Sequence, residues 1–178
     1  MRWGNSATHW GLVSRLLHWF TAIAVFFMFA VGITMINMRL SPMKLEMFIV
    51  HKSTGMLILV VVLLRILWRL MNPAPRPSRH LSQFQRRVAG TGQWLMYCLL
   101  VAIPVSGWVI NSAASFPLRW FGLFEIPPIT GPSIEIEDMA KTTHLVLICC
   151  LAAIVLIHIG AALHHHWIKR NDILKRML

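Results

Sequence analysis

The last long apolar run of the chain, Thr142 to Trp167, contains two histidines, His144 and His158, fourteen residues apart. At about 100° and 1.5 Å per residue, a helix sets both imidazoles within about 40° of one face, separated by about 21 Å of rise. An ionisable residue inside a membrane-length span marks a functional site by default. Neutral imidazole suits that setting, because it ligates a metal without charge and its second ring nitrogen needs only one acceptor. One helix therefore offers two stacked ligands, which need partners at two matching depths, and His18 and His51 are the candidates. A single such histidine reads equally well as a hydrogen-bonded packing residue. Four that pair by depth do not.

The elements that must position them follow from composition. Of 178 residues, 57% are hydrophobic and 13% charged, and the mean hydropathy is +0.64. That is the balance of an integral membrane protein rather than a soluble domain. The net charge of +11 does not indicate nucleic acid, because the basic residues fall between apolar runs and no nucleic-acid motif accompanies them. The spacing predicts four membrane-spanning helices over about 14–38, 45–70, 89–111 and 142–167. An N-terminal signal peptide is the rival reading of the first, but the run is longer than a typical h-region and has no convincing cleavage site. Residues 1–178 are expected to form a single domain, an all-α integral membrane four-helix bundle in the membrane lipid.

Orientation comes from the connections. Arg69, Arg76, Arg79, Arg86 and Arg87 lie between the second and third spans, and Lys169, Arg170, Lys175 and Arg176 follow the fourth. Both segments belong in the cytoplasm, with the N- and C-termini. The connection between the third and fourth spans carries Glu125, Glu135, Glu137 and Asp138 and belongs on the periplasmic side. His18 then shares the cytoplasmic half with His158, and His51 the periplasmic half with His144. Two imidazoles facing each other across a bundle are an axial ligand set for haem iron, so the sequence predicts two haem b groups inside the bundle. The absence of Cys-x-x-Cys-His excludes covalent c-type attachment. A transition-metal transporter would recruit carboxylates or thiolates, and the only acid near a span, Glu46, stands at the start of the second.

The chain resembles the prokaryotic cytochrome b561 family. The resemblance rests on Leu17-His18-Trp19, His51-Lys52-Ser53-Thr54-Gly55, Arg65 to Arg69 followed by Pro73 and Pro75, Pro104-Val105-Ser106-Gly107, and His144 and His158 with His165 beyond them. It implies the same haem pairs, His51 with His144 and His18 with His158. It further implies a quinone site near the cytoplasmic haem and a multi-pass location in the bacterial inner membrane. In stand-alone members of the family it implies superoxide as donor, oxidised to dioxygen at the periplasmic haem while quinone is reduced at the other end.

The remaining polar residues have narrower expectations. Haem propionates seek Arg or Lys. Arg15 and Lys52, three before and one after a ligand, are the candidate contacts, while Arg65, Arg69, Arg79, Arg39 and Arg119 read first as partners of lipid phosphate. His165, seven residues beyond His158, falls within about 20° of the ligand stripe and is a candidate quinone contact. His164 and His166 are weaker candidates, His9 is expected to be solvated, and His80 is a remote candidate for proton delivery. Gly55, on the face of His51, admits either a porphyrin or a neighbouring helix. Cys98, Cys149 and Cys150 are expected to be buried as small apolar residues, and the tryptophans to form an interfacial belt.

With both axial positions filled, the chemistry implied is outer-sphere, one electron at a time, with a two-electron acceptor such as ubiquinone at one end. The length of 178 residues fits a stand-alone superoxide:quinone oxidoreductase. The alternative is a relay subunit fed by a periplasmic dehydrogenase or redox protein. Four basic residues against five acidic ones on the periplasmic side predict little long-range steering of an anion, so any funnel must be local, built from Arg39, Lys44, Lys52 or Arg119.

Overall fold

The computed structural model describes residues 2–77 and 81–178; Arg79 and His80 lie outside them. Four long helices dominate: α1 (Leu12–Asn37), α2 (Pro42–Met71), α3 (Gln83–Ala113) and α4 (Ile134–Leu163). All four are long and apolar enough to cross a membrane. The first two agree with the apolar runs to within three residues, but α3 and α4 begin well before the expected 89 and 142. Hydropathy reports the stretch that suits lipid, whereas a helix runs on to its cap. Ser82 and Gln85 form a reciprocal capping box at α3, and the Ser133 hydroxyl accepts from the Ile136 amide at α4, whose first turn holds Glu135 and Glu137 at the positive end of the helix dipole.

Helix α1 lacks a side-chain cap. The N-terminal segment hooks back instead, and the carbonyls of Arg2 and Trp3 accept from the amides of Leu12 (3.0 Å) and Val13 (3.4 Å). The hook requires glycine at position 11, because a Cβ there would stand 2.4 Å from the Gly4 backbone. Asn5 bonds the Asn72 carbonyl at 3.0 Å, and Arg176 bonds the Arg76 carbonyl at 2.9 Å. The N-terminal hook, the α2–α3 connection and the C-terminal tail are thus knitted into one terminal end of the bundle.

The opposite end carries an unpredicted hairpin, β1 (Leu118–Trp120) paired antiparallel with β2 (Phe124–Ile126). Phe121 and Gly122 take φ of 48° and 76°, and the Leu123 amide closes on the Trp120 carbonyl at 2.9 Å, the left-handed pair of a tight hairpin turn. Three-residue strands are too short to announce themselves, and this hairpin is held by a tertiary contact. Ser53, fully buried, accepts from the Phe121 amide at 2.9 Å, and its carbonyl accepts from the Trp120 indole at 3.1 Å.

Each helix packs on the next, α3 on α4 most extensively, whereas α1 and α4 share no comparable backbone packing among the described residues. The core cluster of Val25, Ile58, Val62, Tyr97, Leu99, Leu100 and Leu151 fills the middle of the bundle. Leu151 lies seven residues from His144 and seven from His158, so apolar packing separates the two histidine levels.

One expectation about the outer surface is corrected. Cys98, Cys149 and Cys150 are free thiols on the exposed outer faces of their helices, not buried; in a membrane protein the outside is as apolar as the inside, so hydropathy cannot tell the faces apart. Several tryptophans also tie neighbouring elements together. Trp19 donates to the Met177 carbonyl, Trp68 to the Ser14 hydroxyl and Trp108 to the Pro127 carbonyl.

Candidate functional site

At the hairpin end, His51 on α2 and His144 on α4 lie within electrostatic reach of each other. Ser106, in the third helix, bonds His144 Nδ1 at 2.8 Å and donates its single hydroxyl hydrogen to the Ile103 carbonyl at 2.8 Å. With that hydrogen spent, the serine oxygen can only accept, so His144 carries its hydrogen on Nδ1 and leaves the Nε2 lone pair free. The Ile103 carbonyl also interacts with the ring, and an acceptor there selects the same tautomer. This is the outer-sphere arrangement of a metal-ligating histidine. Among the described residues His51 Nδ1 is buried without a hydrogen-bond partner. The wall beside the rings is smooth: a Cβ on Gly107 would stand 3.4 Å from His144 Cε1, and one on Gly32 3.7 Å from His51 Cε1.

At the terminal end, His18 on α1 faces His158 on α4 with ring centroids 6.4 Å apart and an interplanar angle of 63°. A metal held between two imidazoles by bonds of about 2.0–2.1 Å keeps the centroids roughly 6.3 Å apart. The two rings span the side of the bundle where α1 and α4 lack close backbone packing. The spacing of the His18 and His158 rings and a free lone pair at His144 suit a porphyrin iron, which can take two opposed imidazoles and supplies its other four nitrogens itself. Among the described residues no three His, Cys, Asp or Glu side chains gather into a metal cage.

The outer sphere of the terminal-end pair differs. Arg65 Nη2 stands 2.8 Å from His18 Nδ1, and its guanidinium lies 5.2 Å from the centre of the Tyr97 ring. One turn further along, Arg69 donates to Gln93 at 3.0 Å and stacks over Trp94 and Tyr97 at 5.3 and 5.6 Å. Sequence reading placed both arginines among the lipid contacts and assigned Ser106 no role. The pairs Arg65–His18 and Ser106–His144 are 47 and 38 positions apart, so nothing local signals either.

The two cations singled out in sequence lie at opposite ends of the bundle. Lys52 has its ammonium 5.4 Å above the Phe116 ring at the hairpin end. Arg15 lines a cavity of about 290 Å³ with Arg2, Ser6, His9 and Trp10 under the N-terminal hook. At Gly55 a Cβ would stand 3.7 Å from the Met28 methyl, an ordinary contact that helix packing tolerates.

Beyond His158 the helix widens into one π turn, His164–Ile168, which breaks the 100° register assumed for His165. His165 Nδ1 instead meets Asn171 Nδ2 at 2.9 Å. Asn171 Oδ1 accepts from the Ile173 amide at 3.3 Å, which fixes the orientation of the side-chain amide. Asn171 therefore donates, and a neutral His165 carries its hydrogen on Nε2. His166 Nδ1 is buried without a partner.

Known proteins with this pattern supply the context. The family model described as prokaryotic cytochrome b561 matches residues 9–178. The Escherichia coli K12 protein named cytochrome b561 homolog 2 is 34% identical over 179 residues, covering 100% of this chain and 95% of that protein. A Yersinia pestis protein named probable superoxide oxidase CybB is 31% identical over 132 residues, 74% of each chain. Cytochrome b561 homolog 1 of E. coli K12 is 25% identical over 169 residues, 91% of this chain and 92% of that one. Four membrane-length helices, opposed imidazoles and a match over nearly the whole length lead to one conclusion: the chain is a multi-pass membrane protein of the prokaryotic cytochrome b561 family, whose members transfer electrons through haem b.

Proposed function

We propose that the chain binds two haem b groups, one between His51 and His144 and one between His18 and His158, and carries electrons across the bacterial inner membrane to quinone. The observation that carries this reading is the 6.4 Å separation of the His18 and His158 rings across the open side of the bundle. Bound there, haem b supplies a one-electron ferric–ferrous couple. The side chains hold it and set its surroundings. Ser106 orients His144, and the apolar layer around Val62 and Leu151 keeps water from the middle of the bundle. The charge distribution supports a cytoplasmic terminal end, where His165 would offer an Nε2–H to a quinone carbonyl, with Asn171 holding the ring.

Superoxide is the donor we favour, arriving at the periplasmic hairpin end and leaving as dioxygen. The relative named as a probable superoxide oxidase supports it. Lys52 and Arg119 supply local positive charge for an anion there, because Lys52 adjoins His51 and the Arg119 carbonyl meets the Ser53 hydroxyl at 3.4 Å. A second reading, a relay subunit fed by a periplasmic protein, is favoured by the hairpin tip, where Leu123 and Phe124 are 75% and 55% exposed. A reduced-minus-oxidised visible spectrum with haem quantification tests the binding step, and the expected result is two low-spin haems per chain. Stopped-flow mixing with superoxide separates the two donors: rapid reduction of the purified protein supports superoxide, and slow or absent reduction supports the relay.

A further inference from the structure

Arg65 and His18 make a bond that conflicts with iron ligation. A guanidinium only donates, so at 2.8 Å His18 Nδ1 must accept. A neutral imidazole that accepts at Nδ1 carries its hydrogen on Nε2 and has no lone pair there. Nδ1 itself is covered by the arginine. Neither nitrogen of His18 can bind iron while this bond lasts.

Among the described residues no Asp or Glu side chain answers the charge of Arg65. Glu46 is nineteen residues earlier on the same helix, about 28 Å away along its axis. Glu125, Glu135, Glu137 and Asp138 belong to β2 and the start of α4, at the hairpin end, and Asp172 pairs with Arg176 at 2.7 Å. Arg69, the nearest charged neighbour on α2, has the same sign and shares the Tyr97 ring. Two guanidiniums one turn apart inside a membrane-length helix constitute a site for a dianion, and the ligand that brings two carboxylates to this level is the haem itself.

We propose that Arg65 is a latch on the terminal-end haem site: it holds His18 in the non-ligating tautomer and releases it by moving to a haem carboxylate, with Arg69 as the second cation. On release the ring loses one proton at Nε2 and gains one at Nδ1 by exchange with water, with no net change of charge. The proposal rests on the di-haem reading above. Arg65 is a positioning residue: it acts on His18 and on the carboxylates, not on the iron.

The test uses purified, haem-loaded protein, with Arg65→Gln and Arg65→Lys beside the wild type. Transfer of haem to apomyoglobin and the midpoint potential of each haem are the readouts. Loss of a charge-assisted hydrogen bond predicts that Arg65→Gln releases the terminal-end haem on the order of tenfold faster or more. The potential of that haem moves negative and the other haem is unchanged. Arg65→Lys, which keeps the charge, restores both. If Arg65→Gln matches the wild type in release and potential, the proposal is overturned. Electron–nuclear double resonance on the oxidised wild type adds a check that needs no variant. An exchangeable proton on the remote nitrogen of both ligands of the terminal-end haem is expected, and a bare nitrogen on His18 overturns the latch. A wild type that carries no haem would overturn the di-haem reading itself, a different outcome from two haems with an inert Arg65.

Discussion

The two histidine pairs have the same ligand chemistry and opposite surroundings. At the hairpin end a neutral hydroxyl, itself committed to the Ile103 carbonyl, accepts from His144 and leaves Nε2 ready for a metal. At the terminal end a cation donates to His18 and puts the hydrogen on the wrong nitrogen. On the di-haem proposal, one site is preorganised and the other must rearrange. Side chains that never touch the metal decide this, which is how an outer sphere sets ligand orientation and basicity. The contrast also gives the two levels different electrostatics, with two guanidiniums close to one pair and a serine beside the other. On the di-haem proposal, two cofactors of one kind in one bundle would differ in potential, the terminal-end one being the more easily reduced if its arginines stay near.

The sharpest way to break the comparison is to delete one pair. His158→Ala is expected to lower the haem content from two to one per chain and to abolish quinone reduction, with the hairpin-end haem still reducible; retention of both haems would mean the pairing is wrong. Ser106→Ala comes next. Without the acceptor, His144 loses its fixed tautomer, and affinity at the hairpin-end site should fall about tenfold or more, read as faster haem transfer to apomyoglobin with the terminal-end haem unaffected. Ser53→Ala removes the acceptor of the Phe121 amide and should cost about 1–3 kcal/mol of local stability. Faster hydrogen exchange at Phe121, with unchanged haem content, is the signature. The smallest effect is expected from Arg15→Gln. Its side chain lines the cavity under the N-terminal hook, so haem content and both potentials should stay at wild-type values, and a shift in the terminal-end haem would return Arg15 to the propionates.

Much of this architecture was legible before any coordinates. The four apolar runs place α1 and α2 to within three residues, because lipid demands a continuous hydrogen-bonded helix of a certain length. The fourteen-residue interval between His144 and His158 puts two imidazoles on one face by helical geometry alone. Their partners follow from depth, and the structure brings His18 to 6.4 Å from His158. His165 is where the same arithmetic loses precision, since the π turn at His164–Ile168 alters the angle per residue on which the projection depends. The hairpin escaped notice because its strands are short and Ser53, the residue that anchors it, lies more than sixty positions away.

The sequence by itself determined the membrane class, the number of crossings and the two levels of histidine, because each follows from rise per residue, hydropathy and charge along the chain. Only the tertiary structure decided which nitrogen of His144 and of His18 bears the hydrogen. That depends on a serine of α3 against His144 and an arginine of α2 against His18, contacts set by how the helices rotate about their axes as they pack.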